Sequence, residues 1–327
     1  MTNTVKAIRI EAHGGPQVMK YVDIDVAAPA AGEVQIRHTQ IGLNYIDTYH
    51  RTGLYPIPLP GGLGLEACGV VEVLGEGVEN LAIGDRVAYG AGPIGAYSQV
   101  RNMPAGRVSK LPDTIDDETA AAMMLKGMTT RYLLRETYEV KAGDTILFHA
   151  AAGGVGQIAT QWANALGATV IGTVGSAEKA AMAKTLGCHH VINYNEENVA
   201  ERVREITDGR GVPVVYDGVG KSTLNASLDS LQTRGLLVSF GNASGPVTGF
   251  DVGILASKGS LYLTRPTLAS YVLSDDDLQA NTNDLFDVVG SGKVKISVNQ
   301  RYALCDVADA HRDIEARKTT GSTVLSA

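Results

Sequence analysis

The sequence predicts an α/β protein of two domains, one rich in β-strands and one built on a doubly wound parallel sheet. Its length of 327 residues suits two domains better than one. Up to about residue 115, short apolar stretches are broken by Gly and Pro, as in strands joined by turns. Beyond that point apolar strands alternate with helical segments, which indicates a parallel sheet with helices on both faces.

The composition is that of a globular protein, and it argues against several classes of function. A hydrophobic content of 44% and a charged content of 19% are typical of a chain that buries a large core. A net charge of -7 disfavours nucleic acid, whose phosphates attract Lys and Arg. No stretch approaches the ~20 apolar residues of a membrane helix. Cys68, Cys188 and Cys305 are far apart. We therefore expect a soluble, cytoplasmic protein without a disulfide framework or a membrane partner.

The first domain is predicted from the strand-like stretches EVQIRHTQIGLN, ACGVVEVLG and DRVAYG. Near residue 116, acidic residues precede apolar residues at helical spacing, which marks a helix start and a candidate domain boundary. The tail contains one helical stretch, DDLQANTNDLFDVVGSG, and we expect it to pack on the first domain. The predicted domains are residues 1–125 with 266–327, and residues 126–265.

The second domain is predicted from a regular alternation of strand and helix. Its segments, a strand first and then a helix in turn, are DTILFHA, VGQIATQWANALG, ATVIGTVG, AEKAAMAKTLG, HHVINY, VAERVREITDG, VPVVYDGVG, TLNASLDSLQTRG and LLVSFG.

The turn after the first of these strands has the pattern of a dinucleotide-binding loop. Ala151, Ala152, Gly153, Gly154, Val155 and Gly156 follow the spacing A-x-G-x-x-G and open a helix. Small residues there let backbone N–H groups and the helix N-terminus approach a pyrophosphate. The alternative is an ordinary Gly-rich turn, which leaves the spacing of the small residues unexplained.

The end of the second strand predicts which nucleotide binds. An acidic residue at this position would bond the ribose 2′-hydroxyl and repel a 2′-phosphate, but the strand ends in Gly175 and Ser176. Lys179 supplies a cation nearby and Tyr194 a phenol. We therefore expect NADPH rather than NADH, although a solvated helix position is the more common place for a Lys.

Eight further segments are distributed along nearly the whole chain: GLNYIDTYHRTGLYP (42–56), GLGLEACGVVEVLGEGV (62–78), GDRVAY (84–89), GAYSQ (95–99), FHAAAGGVGQIATQWA (148–163), VVYDGVG (214–220), RGLLVSFGNASG (234–245) and SLYLTRPTL (260–268). Together they resemble the medium-chain dehydrogenase/reductase superfamily, and within it the zinc-independent quinone oxidoreductases related to zeta-crystallin. The resemblance implies a GroES-like, β-rich catalytic domain and a Rossmann nucleotide-binding domain.

The same resemblance argues against a catalytic metal. Asn44 stands where zinc-dependent relatives have a Cys ligand and Leu65 where they have a His, although Glu66 persists. An amide and an alkyl group do not replace thiolate and imidazole. The cluster from Cys188 to His190 is not expected to bind metal, since neighbouring side chains on a strand point to opposite faces. Without a Lewis acid, quinones are the expected substrates because they accept hydride readily.

The resemblance also implies the site residues. Asn44 would donate to a substrate carbonyl or to the cofactor, while Tyr49 and Tyr55 would supply a hydroxyl and an aromatic wall. The alternative is that Asn44 caps a helix and the tyrosines only pack. Further positions implied around the dinucleotide are Asp47, Thr48, Tyr132, Ala152, Gly153, Gly154, Val155, Gly175, Ser176, Lys179, Tyr194, Gly218, Phe240, Gly241, Asn242, Arg265 and Arg317. Asp47 is alternatively a structural cap and Arg317 a surface residue.

Two other functions remain open. An NADPH-dependent reductase of α,β-unsaturated aldehydes or ketones would use the same fold and cofactor with another pocket. A noncatalytic NADPH-binding or RNA-binding protein is the alternative of a different class, and the acidic charge disfavours RNA. Strands at a sheet edge are suggested by the stretch VSFGNASGPVTGFDVGIL and the segment SLYLTRP. In the family that this chain resembles, subunits associate at that edge, so we expect a homodimer. The preferred acceptor, the choice between one- and two-electron reduction and the physiological role are not predicted.

Overall fold

A computed structural model of the chain describes residues 3–327, which divide into two compact units. Among the described residues, unit 1 comprises 3–128, Val272–Gly290 and Ile296–Ala327, and unit 2 comprises Thr129–Tyr271 and Ser291–Lys295. The strands are β1 (Asn3–Ile10), β2 (Lys20–Val26), β3 (Glu33–Leu43), β4 (Gly61–Gly62), β5 (Glu66–Leu74), β6 (Arg86–Tyr89), β7 (Val100–Pro104), β8 (Ser109–Lys110), β9 (Thr145–Phe148), β10 (Thr169–Val174), β11 (His190–Asn193), β12 (Val212–Asp217), β13 (Leu231–Ser239), β14 (Tyr262–Thr264), β15 (Val298–Ala303) and β16 (Ser322–Ser326).

The α-helices, in chain order, are α1 (Tyr45–Thr52), α2 (Asp117–Tyr132), α3 (Gly154–Ala165), α4 (Ala177–Thr185), α5 (Val199–Ile206), α6 (Leu224–Ser230), α7 (Gly253–Ser257), α8 (Asp275–Gly290) and α9 (Val307–Glu315). A π-helical turn, Leu133–Thr137, continues α2, and 3-10 turns span Pro16–Val18, Ala105–Arg107, Leu268–Tyr271 and Leu304–Asp306.

Unit 1 is organised around the long strand β3. Strands β5, β7 and β16 all pair with it antiparallel, and the sheet order is β15-β16-β3-β5-β6-β8 with β7 attached to β3. Strands β2, β1 and β4 form a second sheet. Apolar residues of β3, including Ile36 and Ile41, are fully buried in the core of this unit. Strand β16, near the end of the tail, pairs with β3 of this unit.

Unit 2 contains the predicted doubly wound sheet. Six parallel strands lie in the order β11-β10-β9-β12-β13-β14. Counted along this unit, the order is 3-2-1-4-5-6, the arrangement of dinucleotide-binding sheets, whose ligands bind at the carboxyl ends of the strands. The fully buried residues Leu147, Ile171 and Val215, from three neighbouring strands, form its core because both faces of a parallel sheet are covered.

The structure differs from the expected elements at two places in unit 2. Helix α6 ends at Ser230, and the residues LQTR, predicted as helix, begin β13. Leu231 pairs with Val212, and Arg234 has a φ of 58°, which a right-handed helix does not allow. In the stretch predicted as edge strands, residues 240–252 form no strand and α7 follows, whereas β14 does lie at the sheet edge.

The limits of the units also differ from the predicted domain limits. Unit 2 extends from Thr129 to Tyr271 and also includes residues 291–295, which the sequence analysis assigned to the first domain. The reason is a side chain on α3. Gln161 donates to the carbonyl of Lys295 and accepts from its N–H, at 2.9 and 3.0 Å, and the neighbouring Val294 is buried.

Candidate functional site

In unit 1, the candidate site begins at the N-terminus of α1, where Asn44 is the N-cap residue. Its backbone is extended, as N-cap residues are, and its N–H donates to Asp47 Oδ2 at 2.9 Å. The Asn44 side chain also contacts Glu66, since its Nδ2 donates to Glu66 Oε2 at 2.7 Å. Asn44 is 4% exposed. The cap position and the side-chain contact therefore coexist.

Glu66 lies at the start of β5 and is the acceptor at the centre of this group. Its Oε2 also accepts from Lys126 Nζ at 3.0 Å, and its Oε1 accepts from the N–H of Leu125 at 2.9 Å. The Glu66 side chain is fully buried and that of Lys126 is 7% exposed. The sequence analysis did not predict a role for Lys126. The feature that could have indicated one is a charged residue inside the apolar run AAAMMLKGM.

A second chain of buried polar side chains ends at Asp47. Arg51 Nη1 donates to His311 Nδ1 at 3.1 Å, since a guanidinium has no acceptor atom. The His311 proton is therefore on Nε2, which donates to the Tyr97 oxygen at 3.1 Å, and the Tyr97 hydroxyl donates to Asp47 Oδ2 at 2.8 Å. Glu315 holds Arg51 through both carboxylate oxygens. Along the path from Arg51 through His311 and Tyr97, each donor thus points towards Asp47.

Burial dominates the ionisation of this chain. It raises the pKa of Asp47 to about 7, against the opposing effect of the bonds from Asn44 and Tyr97. It lowers the pKa of His311 to about 3, with the Arg51 charge acting in the same direction. Asp47 Oδ1 is buried and has no hydrogen-bond partner among the described atoms, so it is an acceptor available to a ligand.

The remaining predicted residues of unit 1 follow α1 or lie near the C-terminus. Tyr49 is buried and Tyr55 half-buried, and their rings meet edge to face with centroids 5.1 Å apart. Thr48 is buried and its hydroxyl donates to the carbonyl of Tyr45 at 2.7 Å. Arg317 follows α9 with a φ of 59° and its side chain is exposed. The structure therefore places Asn44, Asp47, Thr48, Tyr49 and Tyr55 on one helix and its flanks.

In unit 2, the loop from Ala150 to Gly156 connects β9 to α3 as the spacing predicts. Gly153 is the N-cap of α3 and no side chain caps this helix. A Cβ on Gly156 would lie 2.3 Å from the carbonyl oxygen of Ala150, so only glycine fits. Ala152 is buried, whereas Gly153, Gly154 and Val155 are half-buried. The N–H groups of the first turn therefore have no side-chain cap, and helix N-termini of this kind attract anions.

The end of β10 carries the residues expected to recognise the 2′-phosphate. Ser176 is the N-cap of α4 and accepts from the Lys179 N–H at 3.2 Å. The Tyr194 hydroxyl lies against Gly175, since a Cβ there would be 2.3 Å from it, and Tyr194 is 44% exposed. The hydroxyls of Ser176 and Tyr194 and the cation of Lys179 thus belong to residues that are close in the chain or in space at the end of β10.

The other predicted loops of unit 2 lie against each other. A Cβ on Gly241 would be 2.2 Å from the carbonyl oxygen of Gly218, and one on Gly218 would be 2.9 Å from the Phe240 ring. Asn242 follows on the same loop and is half-buried.

Tyr132 and Arg265 are the last predicted residues of unit 2. Tyr132 stacks on Tyr271 with ring centroids 4.4 Å apart, and burial raises its pKa well above the usual range. Arg265 is exposed and directly precedes Pro266.

A buried polar chain beneath these loops was not predicted from the sequence. Ser227 donates to Asp217 Oδ2 at 2.7 Å, so its oxygen accepts from His149 Nε2 at 3.0 Å. His149 Nδ1 is then unprotonated and accepts from the Thr173 hydroxyl at 3.0 Å. Asp217 also accepts from the N–H groups of residues 219 and 220. Burial lowers the pKa of His149, consistent with a neutral ring. The chain ties three strand ends together.

Residues 3–327 contain neither a membrane-spanning helix nor a cluster of metal-binding side chains. Every helix in this range is too short or too polar to cross a bilayer. In the same range, no three His, Cys, Asp or Glu side chains are grouped so that they could hold a metal ion.

Comparisons with known proteins agree with this architecture. Residues 30–113 match the family model of the alcohol dehydrogenase GroES-like domain, and residues 154–287 match that of the zinc-binding dehydrogenases. A quinone oxidoreductase of Pseudomonas aeruginosa is 57% identical over 98% of this chain and 99% of its own length. A 2-haloacrylate reductase of Burkholderia sp is 46% identical over 98% of both chains.

Among solved structures, the quinone oxidoreductase of Escherichia coli, complexed with NADPH, superposes with a TM-score of 0.97 at 52% identity, over 98% of this chain and all of that one. The predicted fold class, a GroES-like domain with a Rossmann sheet, is confirmed. The chain belongs to the quinone oxidoreductase family of the medium-chain dehydrogenases/reductases.

Proposed function

We propose that this chain is an NADPH-dependent quinone reductase that works without zinc. The proposal is carried by the presence of two features in one chain. In unit 2, the N-terminus of α3 has no side-chain cap and is lined by glycines, and in unit 1 the amide of Asn44 stands at the position of a metal ligand. The quinone oxidoreductase relatives, one of them in complex with NADPH, support it.

The residues of unit 2 fit the phosphates of NADPH. The first turn of α3 offers N–H groups without a side-chain cap, and Gly156 and Gly241 stand where a Cβ would strike backbone oxygens 2.3 and 2.2 Å away. We propose that Gly153, Gly154 and Val155 hold the pyrophosphate. Ser176, Lys179 and Tyr194 would hold the 2′-phosphate. The other predicted positions, Tyr132, Ala152, Gly175, Gly218, Phe240, Asn242 and Arg265, with Asn44, Asp47, Thr48 and Arg317 of unit 1, are proposed as further contacts.

The residues of unit 1 suit a flat, conjugated acceptor. NADPH supplies the hydride when bound. We propose that Asn44, held by Glu66, orients an acceptor carbonyl, and that Tyr49 and Tyr55 supply an aromatic wall. Zinc chemistry does not fit here because Asn44 and Leu65 cannot ligate the metal.

The test is the oxidation of NADPH and of NADH, followed in parallel by absorbance, with 1,4-benzoquinone, 9,10-phenanthrenequinone and a simple enone as acceptors. We expect turnover of both quinones with a preference for NADPH. Tight NADPH binding without turnover of any acceptor would contradict the proposal and favour a noncatalytic role. Salt-sensitive RNA binding that competes with NADPH would favour the RNA-binding alternative.

A second candidate substrate class is the α,β-unsaturated carbonyl compounds. The 46% identity to a 2-haloacrylate reductase favours it, since that relative is named for a conjugated acid. Turnover of the enone but of neither quinone in the same assay would replace the quinone reductase proposal with this one.

We also propose a cytoplasmic homodimer that forms through the edge of the six-stranded sheet. Strand β14 ends that sheet, and Tyr262 is 60% exposed on it, beside Leu263 at 38%. A second copy can pair its own β14 there and cover these side chains. Light scattering of the wild type should give the mass of two chains, and the variant Tyr262→Asp should have the mass of one chain. A monomeric wild type would refute the dimer.

A further inference from the structure

Lys126, which forms a buried ion pair with Glu66, has no role in the function proposed above. The two side chains are 7% and 0% exposed, and Nζ lies 3.0 Å from Oε2. Removing both charges from water costs more than their attraction returns in most proteins, and apolar pairs of similar volume are equally or more stabilising. Stability therefore does not account for the pair, and a buried charge beside a candidate site is a candidate for chemistry.

The pair lies next to the amide that stands at the family's zinc-ligand position. Asn44 Nδ2 and Lys126 Nζ both donate to the same oxygen, Glu66 Oε2, at 2.7 and 3.0 Å. The ammonium is thus a neighbour of the group proposed to orient the acceptor carbonyl. The other buried cation of this cluster, Arg51, is held by Glu315 and His311.

A positive charge close to its oxygen assists the reduction of a quinone. The hydride brings two electrons and one hydrogen, which leaves an oxyanion, and a proton must then complete the hydroquinone. A metal can stabilise such an anion, but the residues here do not ligate one. An ammonium does both tasks, because it carries a fixed charge in a dry site and a proton that it can transfer.

We propose that Lys126 is a catalytic residue whose ammonium contacts the acceptor oxygen, stabilises the oxyanion and protonates it. An N–H bond of Lys126 breaks, the O–H bond of the hydroquinone forms, and the neutral amine takes a proton from water. The proposal rests on the quinone reductase function proposed above. Glu66 and Asp47 are the anionic groups whose charges act at this place, and Glu66 keeps the ammonium next to Asn44.

The first test needs no turnover. 4-Nitrophenol is a stand-in for the hydroquinone, and its phenolate absorbs visible light. The full chain, saturated with NADP⁺, is mixed with the ligand at a pH where free nitrophenol is half ionised. We expect the wild type to bind the phenolate almost alone, because a neighbouring cation favours the charged form. Lys126→Met should bind mostly the neutral phenol. Equal ionised fractions in both proteins would overturn the proposal.

The second test is kinetic. Lys126→Met should lower kcat for 1,4-benzoquinone by about 10²-fold, as loss of one oxyanion donor does, with NADPH affinity within a factor of about two, since no cofactor contact is removed. The matched control is Lys110→Met, an exposed lysine of the same unit paired with Asp85, which should keep wild-type kinetics. Lys126→Ala should regain activity with added ethylammonium but not with tetramethylammonium, which has no proton to give. An unchanged kcat, or equal losses in kcat and NADPH affinity, would overturn the assignment.

Folding and function can be separated from this result. If Lys126→Met does not fold, the double variant Glu66→Leu/Lys126→Met, which removes both buried charges, replaces it in the nitrophenol titration. Phenolate binding by that variant would refute the role of Lys126. If the wild type reduces no quinone, the proposed function fails, whereas an active wild type with an equally active Lys126→Met means that only this inference fails.

Discussion

Replacing Gly156 by Ala tests the geometry of the phosphate loop most directly. The new Cβ would lie 2.3 Å from the carbonyl oxygen of Ala150 and 2.7 Å from that of Ala151. Both atoms belong to the backbone, so no side-chain rotation relieves the contact. Overpacking of this kind typically costs ~1–3 kcal/mol because the loop must shift.

The shift should appear in both stability and cofactor binding. If the whole strain is released when the loop moves away from the phosphates, NADPH affinity falls by about 5- to 150-fold, since every 1.4 kcal/mol is tenfold. We would measure NADPH affinity by fluorescence titration and the free energy of unfolding by urea denaturation. Gly156→Ala should lower both.

Two matched glycine variants make the result specific. A Cβ on Gly153 would come only to within 3.2 Å of the Ala150 oxygen, and its φ of -82° suits alanine. Gly153→Ala should therefore strain the loop less than Gly156→Ala and lower stability and NADPH affinity by less. Gly290→Ala, at the end of α8, should change neither quantity, since its nearest neighbour is the Thr114 hydroxyl at 3.3 Å. Wild-type stability and affinity in Gly156→Ala would refute the steric argument.

Two further substitutions test the buried polar groups. Ser227→Ala leaves the His149 Nε2–H without its acceptor and removes a donor to Asp217. Urea denaturation should therefore show that the free energy of unfolding falls by about 1–3 kcal/mol. The control, Ser222→Ala at an exposed position, should leave it unchanged, and equal stability of the two variants would contradict the assigned hydrogen bonds. Asp47 has a folded pKa of about 7, raised by burial from 3.8, so the folded state holds the extra proton in this window and stability should fall as pH rises from 4 to 7. Asp47→Asn, whose oxygen can take the place of Oδ2 and keep both donors, should lose that part of the slope; an unchanged slope would show that Asp47 does not titrate there.

The fold could be predicted because its signals are local. The strand, the small-residue loop and the helix from residue 145 to 165 are contiguous, and each leaves its own periodicity in the chain. The end of α6 was misplaced because SLDSLQTRG keeps a helical spacing of leucines, while the pairing of Leu231 with Val212 is a tertiary contact that no local pattern contains.

The polar chemistry of the site was predicted less completely for the same reason. Asn44 and Asp47 lie in one motif, and the resemblance located them. Lys126 and Glu66 are 60 positions apart, and Arg51 and His311 are 260 apart, so their contacts exist only in the folded chain. Only the residue types gave a signal, since a Lys inside an apolar helix must find a partner or lose its charge.

The buried polar groups of the two units differ in charge. In unit 2 the buried chain from Thr173 to Asp217 uses neutral groups and one carboxylate that accepts from several donors, so it can be rigid at little cost. In unit 1 the buried groups near Asn44 include a carboxylate with an unpartnered oxygen and a complete ion pair, both of which cost stability. A cofactor scaffold needs only a fixed shape, whereas a site that must meet an oxyanion needs charge held in place before the anion forms. Under the function and the role of Lys126 proposed above, the uneven distribution of buried charge matches what each unit would bind.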